Sequence, residues 1–146
     1  MRLLIALCVF SLTLSGCGNK ATVEELAEGS CSEKQMKLVD KHISGQIDAL
    51  AKKDWKLAYS FASESFRNNV DIEQFTEIIS NRYSMLIENQ GYKFTQCSIE
   101  SDKITQELTV SAGEQSYYLT YRLTIKGSTL GIEGAVAAQA DIPVTV

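Results

Sequence analysis

Histidine occurs once in this chain, at His42, and no two cysteines are spaced as C-x-x-C. A zinc site built from the usual nitrogen and sulfur ligands therefore lacks its parts. A Ser-His-Asp triad would depend on His42 alone, with no nucleophile-elbow motif to accompany it. Neither G-x-x-x-x-G-K-[ST] nor G-x-G-x-x-G is present, so no nucleotide cradle can be argued. Lysine and arginine together number 14 against 18 aspartates and glutamates, and they form no run. An acidic chain of this kind is a poor partner for nucleic acid, where phosphate contacts dominate affinity. The same lack of a basic run argues against a polybasic hold on anionic lipid. The longest apolar stretch, Leu3 to Leu14, has twelve residues. A helix needs about 20 to cross a bilayer, so that stretch does not read as a membrane span.

What the N-terminus does contain is Met1-Arg2, that short apolar run, and then small residues. This is the pattern of a secretory signal peptide, to be set aside in fold reasoning. The residues Leu14-Ser15-Gly16-Cys17 resemble the lipobox of bacterial lipoproteins. The resemblance implies cleavage after Gly16 and diacylation of Cys17. The alternative is an ordinary cleavage site with an incidental cysteine. Two or three acyl chains give stable anchoring where one does not. Cys17 is thus expected to hold the protein to a membrane in the bacterial cell envelope. The chain divides accordingly into a leader (1–16), a polar tether (17–30) and a single domain (31–146). Loss of Arg2 with the leader leaves a formal charge of −5.

Cys8 departs with the leader and Cys17 is taken by lipid, so Cys31 and Cys97 remain as an even pair. In an oxidising compartment such a pair is expected to form a disulfide. The bridge would close a loop of about 67 residues, worth roughly 4 kcal/mol in the chain-entropy account. Two buried free thiols, packed as small hydrophobes, are the alternative.

Three helices are expected next. Met36, Val39, Ile43, Ile47 and Leu50 recur at spacings of three and four over 32–53. Asp54 precedes Trp55 as an N-cap for a second helix, whose stripe is Trp55, Ala58, Tyr59, Ala62 and Phe66. Asp71 with Gln74 forms a capping box for a third, carrying Phe75, Ile78, Ile79, Tyr83 and Leu86. After Gly91 the period changes to two, giving strands over 92–100, 103–112, 116–126 and 130–138. The alternation breaks near Cys97, where a bulge is expected. Residues 141–146 read as a weak edge segment that tolerates Pro143. The fold class is α+β: three helices on one face of a curved antiparallel sheet of about four strands, the other face threonine-rich and wet.

The stretch "IDALAKKDWKLAYSFASESFRNNVDIEQFTEIISNRYSML" followed by strands resembles the NTF2-like (cystatin-like) superfamily, especially its uncharacterised bacterial families. The resemblance spans about Gln46 to Ala138 and implies a cone-shaped fold with a pocket between sheet and helices. Catalytic members hold an acid, base or histidine there, and none can be mapped onto this chain. Arg82 falls within the third helical stripe, where a charge is rare unless paired. It is a candidate anion hook, with Tyr59, Tyr83 and Tyr121 around it. The competing readings are an arginine paired with Asp54, Glu64 or Asp71, or one snorkelling at the helix edge. The tyrosines are equally explained as core residues with hydrogen-bonded hydroxyls. The functional expectation is a non-catalytic, membrane-tethered domain that binds a partner protein or envelope component, with no cofactor. A small-molecule binder using an aromatic/arginine pocket is the runner-up, and an isomerase or hydrolase comes third.

Overall fold

The computed structural model describes residues 28–126 and 128–140. The leader, Cys17, most of the tether and the segment 141–146 lie outside the described residues. Two residues at the end of the tether, Gly29–Ser30, form strand β1. Ser32 then caps helix α1 (Glu33–Ala51) in a full capping box: its side chain accepts from Gln35 N–H, and the Gln35 side chain accepts from Ser32 N–H. The expected stripe is the buried side, with Val39, Ile43, Ile47 and Leu50 at 0–2 % exposure.

Asp54 caps helix α2 (Trp55–Ser60), as expected, but the second helix does not continue through Phe66. It stops, turns at Phe61–Ser63, and resumes as α3 (Glu64–Asn69) with Ser63 as a new N-cap. The reason is competition for backbone groups. Ser63 N–H donates to Ile132 C=O at 2.8 Å, and Ile132 N–H donates to Phe61 C=O at 3.0 Å. The corner thus takes the hydrogen bonds of a strand edge instead of a helical turn, and it pairs in parallel with that strand at Ala62. The third expected helix also divides, into α4 (Ile72–Arg82) and α5 (Ser84–Ile87), because Tyr83 leaves the helical region at φ −130°.

Strands β2 (Gly91–Glu100), β3 (Lys103–Ala112), β4 (Gln115–Lys126) and β5 (Thr129–Gln139) follow closely the expected boundaries. With β1 they make an antiparallel sheet in the order β1-β2-β3-β4-β5. The strand count is therefore five, not four: β1 pairs with β2 through Gly29–Ile99 and Ser30–Ser98. A two-residue strand has no periodicity to read, so its pairing could not be foreseen. The expected bulge lies between Phe94 and Cys97, and a second shift in register lies opposite Arg122 and Leu123, at the β5 glycines.

The Cys31–Cys97 disulfide is present, with Cα atoms 5.3 Å apart. Cys31 N–H also donates to Cys97 C=O at 3.0 Å, so the start of the domain is fixed both covalently and by the ladder. The helices cover one face, where Leu108, Val110, Leu119, Tyr121 and Leu123 are buried. Thr105, Thr109, Thr120 and Thr124 line the opposite face and remain partly exposed. That face also carries Tyr118 and Val136, 60 % and 68 % exposed.

Candidate functional site

The register brings four inward positions into one row across the sheet: Cys97, Gln106, Tyr121 and Ala135. Tyr121 is its centre, and its hydroxyl has no hydrogen-bond partner. Burial pushes its phenol well above the ordinary value, with the phenols of Tyr83 and Tyr92 adding to the shift, so the group stays neutral. Gln106 is equally buried. Its Nε2 donates to Glu107 C=O at 2.9 Å, while its Oε1 accepts nothing. Unpartnered buried polar atoms are uncommon, and two on adjacent strands mark this row as the polar weak point of the interior.

Beside Tyr121 lies a cavity of about 120 Å³ between helices and sheet. Its walls are mainly apolar, with Phe66, Phe75, Ile79, Leu86 and Ile132 among them. Gln46, buried on α1, contributes a polar side chain to it and donates to Ala58 C=O at 3.3 Å. A cavity of this size accepts at most a small apolar group, since benzene fills one of about 150 Å³. Hydroxyls and amides line it, so the arrangement can orient a neutral group but supplies no charge.

The four pocket candidates separate in space. Tyr83 and Tyr121 both line the cavity. The Tyr83 hydroxyl donates to Ala135 C=O at 2.6 Å, stapling the α4–α5 junction to β5. Tyr59 packs its ring against Phe75, with centroids 5.5 Å apart, and its hydroxyl donates to Val70 C=O at 2.6 Å. It is a core tyrosine with a satisfied hydroxyl, and it does not line the cavity. Arg82 is exposed and does not line the cavity either, which corrects its expected place. The projection that put it inside assumed one helix from Asp71 through Leu86. Leu86 lies beyond the break, in α5, and Ile78, one turn before Arg82, is itself 37 % exposed, so Arg82 stands at the surface in the last turn of α4, where a cation complements the helix dipole.

His42 sits at the flank of α1, half-buried. Its Nε2 lies 3.0 Å from Phe61 C=O, and its ring meets the Phe61 ring edge-on at 5.1 Å. Burial lowers its pKa, partly opposed by that hydrogen bond. Asp40, on the same helix, is shifted upward by burial, and its Oδ1 has no partner. Sequence reasoning passed over Gln46 and Gln106. Their signal was legible: each is a polar residue at a core position, Gln46 beside Ile43 and Ile47, Gln106 midway between Ile104 and Leu108. Among the described residues no three His, Cys, Asp or Glu side chains converge to hold a metal. No helix among them is long and apolar enough to cross a membrane.

A comparison with curated proteins finds no match. Residues 32–142 match the family described as "Domain of unknown function (DUF4864)". That span runs from the N-cap of α1 to just past β5 and takes in every helix and the cavity, so the chain belongs to the DUF4864 family.

Proposed function

We propose that the protein is a bacterial envelope lipoprotein, held to a membrane through diacylated Cys17, whose domain is non-catalytic and binds a partner protein of the envelope. Leu14-Ser15-Gly16-Cys17 after a short apolar run supports the anchor. The disulfide fits the oxidising compartment that the anchor implies. Helices packed on one face of a curved antiparallel sheet, with a cavity between, support an NTF2-like cone. The observation that carries the partner-binding reading is the outer sheet face. Tyr118 and Val136 stand exposed there, on adjacent strands and diagonal to one another across the Thr120–Val136 pair. Exposed aromatic side chains among small polar ones are the composition of an interface anchor. The cavity between helices and sheet, by contrast, measures only about 120 Å³.

Two measurements test the parts separately. Cys17→Ala is expected to abolish acyl labelling and move the protein out of the membrane fraction; an unchanged membrane fraction overturns the anchor. A photo-crosslinking residue at position 118 is expected to capture an envelope protein that the same residue at position 56 does not. Equal capture at both positions overturns the outer face as the interface. A second reading, a binder of small apolar molecules, is favoured by the cavity beside Tyr83 and Tyr121. It predicts saturable stabilisation by an apolar compound smaller than benzene that a cavity-filling Ile79→Phe abolishes.

A further inference from the structure

The two edges of the sheet differ. On the β2 side, β1 pairs with Ser98 and Ile99, and Cys31 N–H takes the Cys97 carbonyl. The bulge between Phe94 and Cys97 and the charge of Lys93 break up the rest of that edge. Such devices keep a free edge from pairing with another strand. The β5 edge has none of them over residues 134–140, GAVAAQA, which carry no charge and no proline.

The register fixes which groups point outward. Ala140 N–H donates to Ser116 C=O, so Val136 and Ala138 also turn their main-chain groups to β4. Ala135, Ala137 and Gln139 then turn theirs to the open edge. Further along that edge, Ile132 gives both of its groups to the Phe61–Ser63 corner, and Ala135 C=O accepts from the Tyr83 hydroxyl. Among the described residues nothing pairs with the N–H of Ala135 or with either group of Ala137 and Gln139. The side chains here are small or apolar. Ala135 and Ala137 are half-buried on the inner face, while on the outer face Val136 is exposed, as is Ala138 beside the exposed Tyr118. Glu133, the nearest charge on β5, is already joined to Lys103 at 2.6 Å.

We propose that this edge takes a second copy of the chain, β5 against β5, antiparallel, with Ala137 on the twofold axis. The strip is its own complement, as a twofold contact requires. Ala137 faces Ala137, and Ala135 faces Gln139, with about six main-chain hydrogen bonds exchanged. The Ala135 carbonyl has a second lone pair for its share. No like charges meet, because the strip has none. Val136 lies beside Ala138 of the second copy, whose own neighbour on β4 is Tyr118, so two apolar patches become one across the join. The corner on Ile132 closes one end of the strip, and a shifted register pairs fewer of the free groups. Two five-stranded sheets thus become one, with the outer face open and doubled for a partner. A contact this short is smaller than those of long-lived complexes, so the pair is reversible.

The test uses the full chain in a lipoprotein-processing host, with two differently tagged copies made together. In this register positions 136 and 138 of opposite copies have Cα atoms about 4.5 Å apart, within disulfide reach. The two 136 positions are diagonal, at about 7–8 Å. Val136→Cys on one copy with Ala138→Cys on the other is expected to give about five-fold more oxidised dimer than Val136→Cys on both, or than Lys56→Cys on both. Equal yields overturn the pairing. A product that joins position 136 to a different protein assigns the edge to that protein and overturns self-pairing. Charge exchange is the second readout. Val136→Lys/Ala138→Lys on both copies sets lysines opposite one another and is expected to abolish co-purification of the two tags. Pairing that variant with Val136→Glu/Ala138→Glu is expected to restore it, which a misfolded chain cannot do. Co-purification that survives in the lysine pair, or that the mixed pair fails to restore, overturns the proposal. Neither readout depends on the anchor or on an envelope partner.

Discussion

Tyr121 shows how much one atom can cost inside a protein. Its ring is well placed between strand neighbours, but its hydroxyl has given up water and received nothing. An unsatisfied buried hydroxyl costs about 1–3 kcal/mol, so Tyr121→Phe is expected to stabilise the fold by about 1 kcal/mol in urea denaturation. A loss of stability instead would mean that the hydroxyl has a partner. His42 makes the complementary case for charge. Its folded pKa lies below the ordinary 6.5, so on acidification the unfolded chain binds the proton first. Its contribution is full above about 6.5 and is lost as pH falls through that value towards the folded pKa. Melting temperatures between pH 8 and 5 are expected to show that decline in the native chain. The step should shrink in His42→Gln, which cannot titrate.

At the scale of elements, the decisive contact joins the α2–α3 corner to β5. A Cβ added at Gly131 would stand 2.6 Å from the Ser63 Cα, a backbone atom that cannot step aside. At Gly134, three residues along the same strand, an added Cβ meets nothing within 4 Å. Gly131→Ala is therefore expected to destabilise by about 1–3 kcal/mol, as overpacking does, while Gly134→Ala stays within about 0.5 kcal/mol of the native chain. Chemical denaturation of the two variants side by side makes the comparison. Equal effects would mean that the corner is not seated on the strand. This contact also explains why the second helix was read as too long. Trp55, Ala58, Tyr59, Ala62 and Phe66 do form a helical stripe in the sequence, but a strand about seventy residues away claims the backbone of Phe61–Ser63.

For the whole molecule, the disulfide spans 66 residues and ties the chain's entry point to the strand beneath it. Removing it in Cys31→Ala/Cys97→Ala is expected to cost about 2–4 kcal/mol, measured by urea unfolding of the mature protein. Hydrogen exchange should at the same time speed up at Ser30 and Cys31, whose pairing depends on that latch. A variant that keeps native stability and protection would show that the β1–β2 ladder alone secures the entry.

The sequence by itself determined the α+β class, the caps at Asp54 and Asp71 and the inward alternation of β4, because each follows from local periodicity or capping chemistry; it offered Cys31 and Cys97 as a pair, and the fold joined them. It also placed Tyr83 and Tyr121 in the core. Tertiary structure alone decided which candidates share a cavity. Arg82 ends α4 at the surface, one turn after the partly exposed Ile78, and Tyr59 gives its hydroxyl to Val70 while Tyr83 gives its own to Ala135 on the cavity wall. It alone decided that two tether residues would become a fifth strand, since strand pairing is a contact between distant segments and leaves no period in a two-residue stretch.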